Sequence, residues 1–173
     1  MEEKQILSTL VRNHPGVLLR VAGLFSRRGF NIESLTASET QDPAYSRMTI
    51  VISGDIETVE QVKHQLEKIV DVKKVSHLKI EQASCSELLL VKVKALPEER
   101  PAIYKLSASY HTRILDVGQK SMTLEATGKT EDLNGLISRL QEQGILELAR
   151  SGFSALQKGD GCLLPEGSVI SAE

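Results

Sequence analysis

The stretch Asn13-His14-Pro15-Gly16-Val17-Leu18-Leu19-Arg20-Val21-Ala22-Gly23-Leu24-Phe25-Ser26-Arg27-Arg28-Gly29-Phe30-Asn31-Ile32 decides how this chain folds. An apolar run over residues 6–11 leads into it, so the segment is expected to form a strand, a tight loop, a helix and the start of a second strand. Pro15 suits the first turn of a helix, where a missing N–H costs nothing. Gly16 has no Cβ, which lets backbone approach a ligand closely. Val17, Val21, Leu24 and Phe25 recur at helical spacing and should face a core, and Gly29 stops the helix in the left-handed region that favours glycine. The product is a gap at a helix N-terminus, where unpaired N–H groups point outwards and attract a carboxylate.

Working outward, the same order of elements runs twice. After the helix over 15–28, strands are expected over 31–39 and 46–53, parted by the turn Gln41-Asp42-Pro43. Asp55 can cap the next helix, with Glu57 and Glu60 in its first turn complementing the dipole. Val59, Val62, Leu66 and Ile69 supply its apolar stripe, and a strand over 72–80 closes the unit. The second half begins with a strand over 87–93 and a helix from about residue 98, with Ile103, Leu106 and Tyr110 on one face. Residues 113–117 and 121–127 read as a hairpin. Within the second of these, Met122, Leu124 and Ala126 alternate with Thr123, Glu125 and Thr127, the period of a half-buried strand. Thr130 is expected to cap a helix carrying Leu133, Leu136, Ile137 and Leu140 inward, Gly144 to end it, and residues 145–150 to form the last strand. The fold class is therefore α+β: two tandem ferredoxin-like βαββαβ units. The expected domains are 1–80 and 87–158, joined by a polar linker at 81–86 and followed by a frayed tail at 159–173 rich in Gly, Ser and acidic residues.

Composition narrows the class. The 173 residues, 40% hydrophobic and 25% charged, suit one or two small globular domains. A net charge of -2 gives no electrostatic reason to expect nucleic acid or an anionic membrane as partner. No apolar run approaches the ~20 residues that span a bilayer, and Met-Glu-Glu-Lys-Gln is too acidic to open a signal peptide. Cys85 and Cys162 form no C-x-x-C pair, which makes a reducing cytoplasm the simplest location.

Nothing in the sequence assembles into a catalytic constellation. His14, His64, His77 and His111 are scattered and show no metal-binding spacing. Gly128-Lys129-Thr130 mimics the end of a phosphate-binding loop, but Thr123 stands where the first glycine belongs, and residues 121–127 alternate as strand. Gly159-Asp160-Gly161 matches the opening of the thiamin diphosphate motif, yet only twelve residues follow, too few for its downstream helix and asparagine. An RNA-binding sheet would need aromatics on its central strands. None occurs in Ile-Leu-Ser-Thr-Leu-Val or Arg-Met-Thr-Ile-Val-Ile, and aromatics make up 3% of the chain.

One family accounts for the opening stretch. The string Asn13-x-Pro15-Gly16-Val17-Leu18-x-Arg20-Val21, followed by Leu24-Phe25-x-x-Arg28-Gly29-Phe30-Asn31-Ile32-Glu33-Ser34-Leu35, resembles an ACT domain. More narrowly, it is similar to the regulatory (small) subunits of acetohydroxyacid synthase, also called acetolactate synthase. Ser46-Arg47-Met48-Thr49-Ile50, Val70-Asp71-Val72 and Ala149-Arg150-Ser151-Gly152 fit the same family, so the likeness spans residues 4–160. It implies a non-catalytic subunit of branched-chain amino acid biosynthesis that activates a large catalytic subunit and confers inhibition by valine. Thiamin diphosphate, magnesium and FAD are then expected on that partner, and no cofactor or metal on this chain. ACT domains, the resemblance further implies, pair two sheets edge to edge in a homodimer and seat effectors at the joint. Residues Asn13, His14, Pro15, Gly16, Val17 and Leu18 of one protomer, with Asn31 and Ile32 of its neighbour, would form the site. Backbone N–H groups around Gly16 can hold the valine carboxylate, the two asparagine amides can bracket its polar end, and Val17, Leu18 and Ile32 can line its apolar end. On this reading the first unit carries both halves of the site and should stand by itself. The alternative is a free-standing ACT-type amino-acid sensor acting on another enzyme or regulator, for which the second unit and Ala149-Arg150-Ser151-Gly152 would be superfluous.

Overall fold

The structure, a computed structural model, describes residues 4–163. The described residues divide into two compact units, one made of residues 4–85 with 153–163, the other of Ser86–Gly152. In the first, strand β1 (Lys4–Arg12) is followed by helix α1 (Val17–Arg28), strands β2 (Ile32–Glu39) and β3 (Tyr45–Ser53), helix α2 (Ile56–Glu67) and strand β4 (Val72–Leu78). The sheet order is β2-β3-β1-β4, antiparallel throughout. This is the ferredoxin-like arrangement, with β1 central because both crossovers return over it.

Alternation sorts the side chains between the two faces. Leu7, Val11, Met48, Ile50 and Ile52 turn toward the helices and close a core with Val17, Val21, Phe25, Val59, Val62 and Leu66. The spacing of those helical residues, read from the sequence, is what makes each helix one-sided. Gly29 adopts φ 70° and its N–H reaches the carbonyls of Phe25 and Ser26, as expected of a left-handed cap. Asp55 caps α2 through a 2.8 Å hydrogen bond from the Thr58 N–H. Helix α1 begins at Val17, not at residue 15. Gly16 is its N-cap at φ 91°, and Pro15 lies just outside.

The opposite face of this sheet is also buried. Ile6, Val51 and Leu78 pack with Ala83 and Ala155, and Leu10 packs with Leu163. The cover comes from strand β9 (Ser154–Gln157) and the residues after it. The Thr36 hydroxyl donates to the Phe153 carbonyl at 2.8 Å, Arg47 donates to the Ala155 carbonyl at 3.3 Å, and Lys74 donates to the Cys162 carbonyl at 2.9 Å. Two expectations change as a result. Residues 81–86 form no free linker: Ile80–Gln82 make a 3₁₀ turn, and β5 (Ala83–Lys94) starts at once, because Ala83 is drawn into this apolar cluster. Residues 153–158 belong with the first unit, not the second, and Leu163 is buried among the residues expected to fray. The rest of that expected tail, 164–173, lies outside the described residues.

The second unit repeats the topology with β5, α3 (Arg100–Ser109), β6 (Arg113–Val117), β7 (Ser121–Gly128), α4 (Thr130–Gln141) and β8 (Ile145–Arg150), in the order β6-β7-β5-β8; β9 also pairs with β5, whose first residues lie in the first unit. Leu89, Val91, Val93, Met122, Leu124, Leu133, Leu136 and Leu140 fill its core. Thr130 does not cap α4. Lys129 occupies the cap position, and the Thr130 hydroxyl donates to the buried Glu87 carboxylate. Among the described residues no helix is long and apolar enough to cross a membrane.

Candidate functional site

At the end of β1 the chain turns through Asn13-His14-Pro15-Gly16 into α1. A cavity of about 310 Å³ opens beside this turn, lined by Asn13, His14, Val17, Leu18, Glu39 and Met48 among others. That volume is at the lower limit for small-molecule sites. Gly16 brings no side chain to the helix start, so no side chain caps the first turn of α1. Its left-handed φ is a conformation that L side chains rarely adopt, although a Cβ there would meet nothing within 4 Å. The Val17 N–H donates to the His14 carbonyl at 3.5 Å, and the N–H groups that follow it have no side-chain cap, with the positive end of the helix dipole beside the cavity.

The turn is held from below by one buried carboxylate. The Asp71 carbonyl accepts from the Arg12 N–H at 2.9 Å, which fixes the residue beneath the loop. Its side chain, 6% exposed, lies 2.8 Å from His14 Nε2 and 2.5 Å from Arg20 Nη1. His14 Nδ1 lies 3.0 Å from the Pro15 carbonyl. Both ring nitrogens thus face acceptors, a setting that suits the doubly protonated imidazolium. The Pro15 carbonyl first and Asp71 second raise the His14 pKa above its ordinary value. In return, His14 chiefly, with Arg20, holds the Asp71 carboxyl below the usual carboxylate range against the cost of its burial.

The expected site residues separate into two groups. Asn13, His14, Val17 and Leu18 line the cavity, with Pro15 and Gly16 in the turn beside it. The Asn13 amide already donates to Glu39 at 2.9 Å and to the Pro43 carbonyl at 3.1 Å, and the nitrogens of His14 are engaged as above. Asn31 and Ile32 are elsewhere. β2 pairs with β3 so that Ile32 meets Ile52 while Glu39 meets Ser46, and β1 ends at Arg12 opposite Tyr45. Asn31 therefore stands at the far end of β2, roughly 25 Å from the loop at the rise of an extended strand. Within one chain these residues do not meet. Ile32 packs against the core beneath the helices.

Sequence reasoning missed Glu39, Asp71 and the anchoring role of Arg20. Asp71 carried a signal: an acid between Val70 and Val72 at a strand start needs a partner. Glu39 carried none, because an acid ending an edge strand is ordinary. Among the described residues no group of three or more His, Cys, Asp or Glu could hold a metal ion.

Comparison with known proteins bears on both units. Residues 7–74 match the family model for the AHAS small subunit-like ACT domain, and residues 86–159 match that for the small subunit of acetolactate synthase. The chain is 46% identical over 157 residues to a probable acetolactate synthase small subunit of Archaeoglobus fulgidus, covering 91% of this chain and 98% of that one. It is 42% identical over 162 residues to the acetolactate synthase small subunit of Haemophilus influenzae, covering 93% and 99%. The crystal structure of the acetolactate synthase small subunit from Thermotoga maritima superposes with a TM-score of 0.86 at 35% identity, over 92% of this chain and 99% of that one.

Proposed function

Because this chain belongs to the acetolactate synthase small-subunit family, its first unit being an ACT domain, we propose that it binds a large catalytic subunit, activates it and makes it sensitive to valine. Catalysis, with thiamin diphosphate, magnesium and FAD, resides on that partner. The observation that carries the effector reading is the uncapped start of α1 at Gly16 beside the 310 Å³ cavity. A valine carboxylate meets the first-turn N–H groups there. Its ammonium group meets Glu39, which takes the role expected of an asparagine amide, and its branched side chain lies on Val17, Leu18 and Met48.

The site is completed by a second copy. Among the described residues β2 is an edge of its sheet, with unpaired backbone groups on one side. Antiparallel pairing of two such edges brings Asn31 and Ile32 of the neighbour to the Glu39 end, where the loop lies. Leu18 and Leu19 of α1, both exposed in the single chain, are then covered. Ligand binding that joins two chains is thermodynamically linked to their association, and the catalytic subunit reads that linkage.

Calorimetric titration of the whole chain with valine, beside an acetolactate assay with its large subunit, tests this. Wild type binds valine and confers inhibition. Gly16→Asp adds a carboxylate that repels the ligand's own, so binding and inhibition are lost while much of the activation remains. An unchanged inhibition curve in a folded Gly16→Asp variant places the effector elsewhere.

A further inference from the structure

A second cavity, of about 280 Å³, lies in the first unit on the face of the sheet away from the helices. Arg47 and Ser76 rise into it from β3 and β4, and Gly159-Asp160-Gly161-Cys162 form its outer wall. The Gly159-Asp160-Gly161 string thus fails as a diphosphate motif yet shapes a cavity. Gly159 turns the chain at φ 76°, which brings the following residues back over the sheet.

Arg47 is the unusual member. It projects, with Lys74, from a face that also carries Ile6, Ser8, Leu10, Thr49, Val51, Ser76 and Leu78; Lys74 donates to the Cys162 carbonyl at 2.9 Å, and Arg47 is half-buried. Its Nη1 donates to Ser8 Oγ at 3.0 Å and to the Ala155 carbonyl at 3.3 Å, both neutral acceptors. Burial lowers its pKa from the ordinary value. Among the described residues no carboxylate lies within ion-pair distance of it. A guanidinium taken partly out of water with no carboxylate at bonding distance is costly, and its fork of N–H donors matches a carboxylate. Leu78, Leu156 and Leu163 supply an apolar wall in the same cavity.

We propose that this cavity is a second ligand site, separate from the one at Gly16, which takes a small organic acid with its carboxylate on Arg47 and a short branched aliphatic chain against Leu78, Leu156 and Leu163. Such an acid with or without an α-ammonium group fits this chemistry. Asp160 stands in the lining to receive the ammonium group where one is present. Because the 153–163 segment forms the outer wall, occupancy also fastens that segment to the sheet.

The test is nuclear magnetic resonance of the whole chain, which reads Gly159 and Gly161 separately from Gly16. Isovalerate is the carboxylate probe, leucine the zwitterion and isobutylamine the cationic control. Saturable shifts of the Gly159 and Gly161 amides with isovalerate or leucine are expected, and whichever binds more tightly says whether Asp160 takes part. Arg47→Met should weaken this binding about tenfold or more while leaving the Gly16 response in place, and Arg47→Lys should fall between. The wild-type titration decides even if Arg47→Met does not fold. The proposal is overturned by absent or non-saturating shifts with both acids, by equal affinity in a folded Arg47→Met chain, or by an equal response to isobutylamine. It is also overturned if acids bind only after residues 164–173 are removed, since the cavity's occupant is then the chain's own end.

Discussion

The two units share element order and strand order, yet they treat the start of their first helix in opposite ways. In the first unit Gly16 leaves the start of α1 bare beside a cavity. In the second, Arg100 fills the corresponding corner: its guanidinium donates to the carbonyls of Gly118 at 2.7 Å, Gln119 at 3.0 Å and Ala95 at 3.3 Å. Glu99 adds a bond from the Leu96 N–H at 2.8 Å. The outer faces differ as well. The first sheet turns Ile6, Leu10, Val51 and Leu78 outward and needs a cover. The second turns out Lys92, Thr123, Glu125 and Glu147 beside Leu88 and Leu90, with Arg113 paired to Glu125 at 3.1 Å, a mixed face that needs less cover. One topology can thus present an open corner or a closed one, depending on which residue stands at a single helix start.

The sharpest way to break this comparison is to cut the chain between the units. A fragment of residues 1–85 loses the segment that buries Ala155 and Leu163, and it uncovers Ile6, Leu10, Val51 and Leu78. Each large apolar side chain moved from core to water costs about 1.5–3 kcal/mol, so the total rivals the ~5–15 kcal/mol that holds a small domain together. The fragment should self-associate and lose its cooperative unfolding transition in denaturant. Residues 86–152, whose outer face mixes Leu88 and Leu90 with Lys92, Thr123, Glu125 and Glu147, should unfold cooperatively by themselves. A monodisperse 1–85 fragment with wild-type stability would show that the cover is dispensable.

That expectation reverses the one drawn from the sequence, where the first unit ends at residue 80. Periodicity located the helices and most strands because each has a core face: Val59, Val62 and Leu66, or Met122, Leu124 and Ala126, repeat at the period of their element. β9 has no such signature. Of its four residues only Ala155 is buried, and a lone small residue shows no strand period, so the stretch reads as the end of the second unit. The apolar run over 6–11 is the legible hint, and the structure extends it, since Gln5, Ser8 and Thr9 are as enclosed as their apolar neighbours. A strand buried on both faces needs a cover on each. The loop residues of the candidate site were visible through Pro15 and Gly16, whereas Glu39 reaches them only through strand pairing.

Each unit also hides one carboxylate, and the two should differ in how much rests on their arginine. Glu87, 4% exposed, is bound by Arg150 Nε at 2.5 Å and by the Thr130 hydroxyl, and Arg150 goes on to Asn134 at 2.9 Å. Arg150→Ala leaves that charge buried with a single hydroxyl, and should cost about 3 kcal/mol or more in urea unfolding. Glu87→Gln with Arg150→Met should recover much of the loss, because the stranded charge is gone. Asp71 keeps His14 when Arg20 is removed, and the Arg20 side chain is 58% exposed. Arg20→Ala should therefore cost only a small fraction as much. Equal losses would mean that the two buried carboxylates are equivalent supports.

The smallest effect sharpens the comparison at the loop itself. His14 is held charged by two acceptors, so its folded pKa lies above the unfolded value of 6.5. The stabilisation this gives is fully present below about pH 6.5 and fades as pH rises through the folded pKa. Asp71 acts in the opposite window: its lowered pKa contributes above its ordinary value of 3.8, and that contribution is lost as acid protonates it. A nuclear magnetic resonance titration of the His14 ring should show a midpoint above 6.5. Asp71→Asn should lower that midpoint only part of the way, because the Pro15 carbonyl, the larger cause, remains. The melting temperature of wild type should decline relative to His14→Asn across the same interval above pH 6.5, modestly, since the ring is largely solvent-facing. A His14 midpoint at or below 6.5 would mean that the imidazolium does not anchor the turn, and that Arg20 alone steadies Asp71 beneath the cavity.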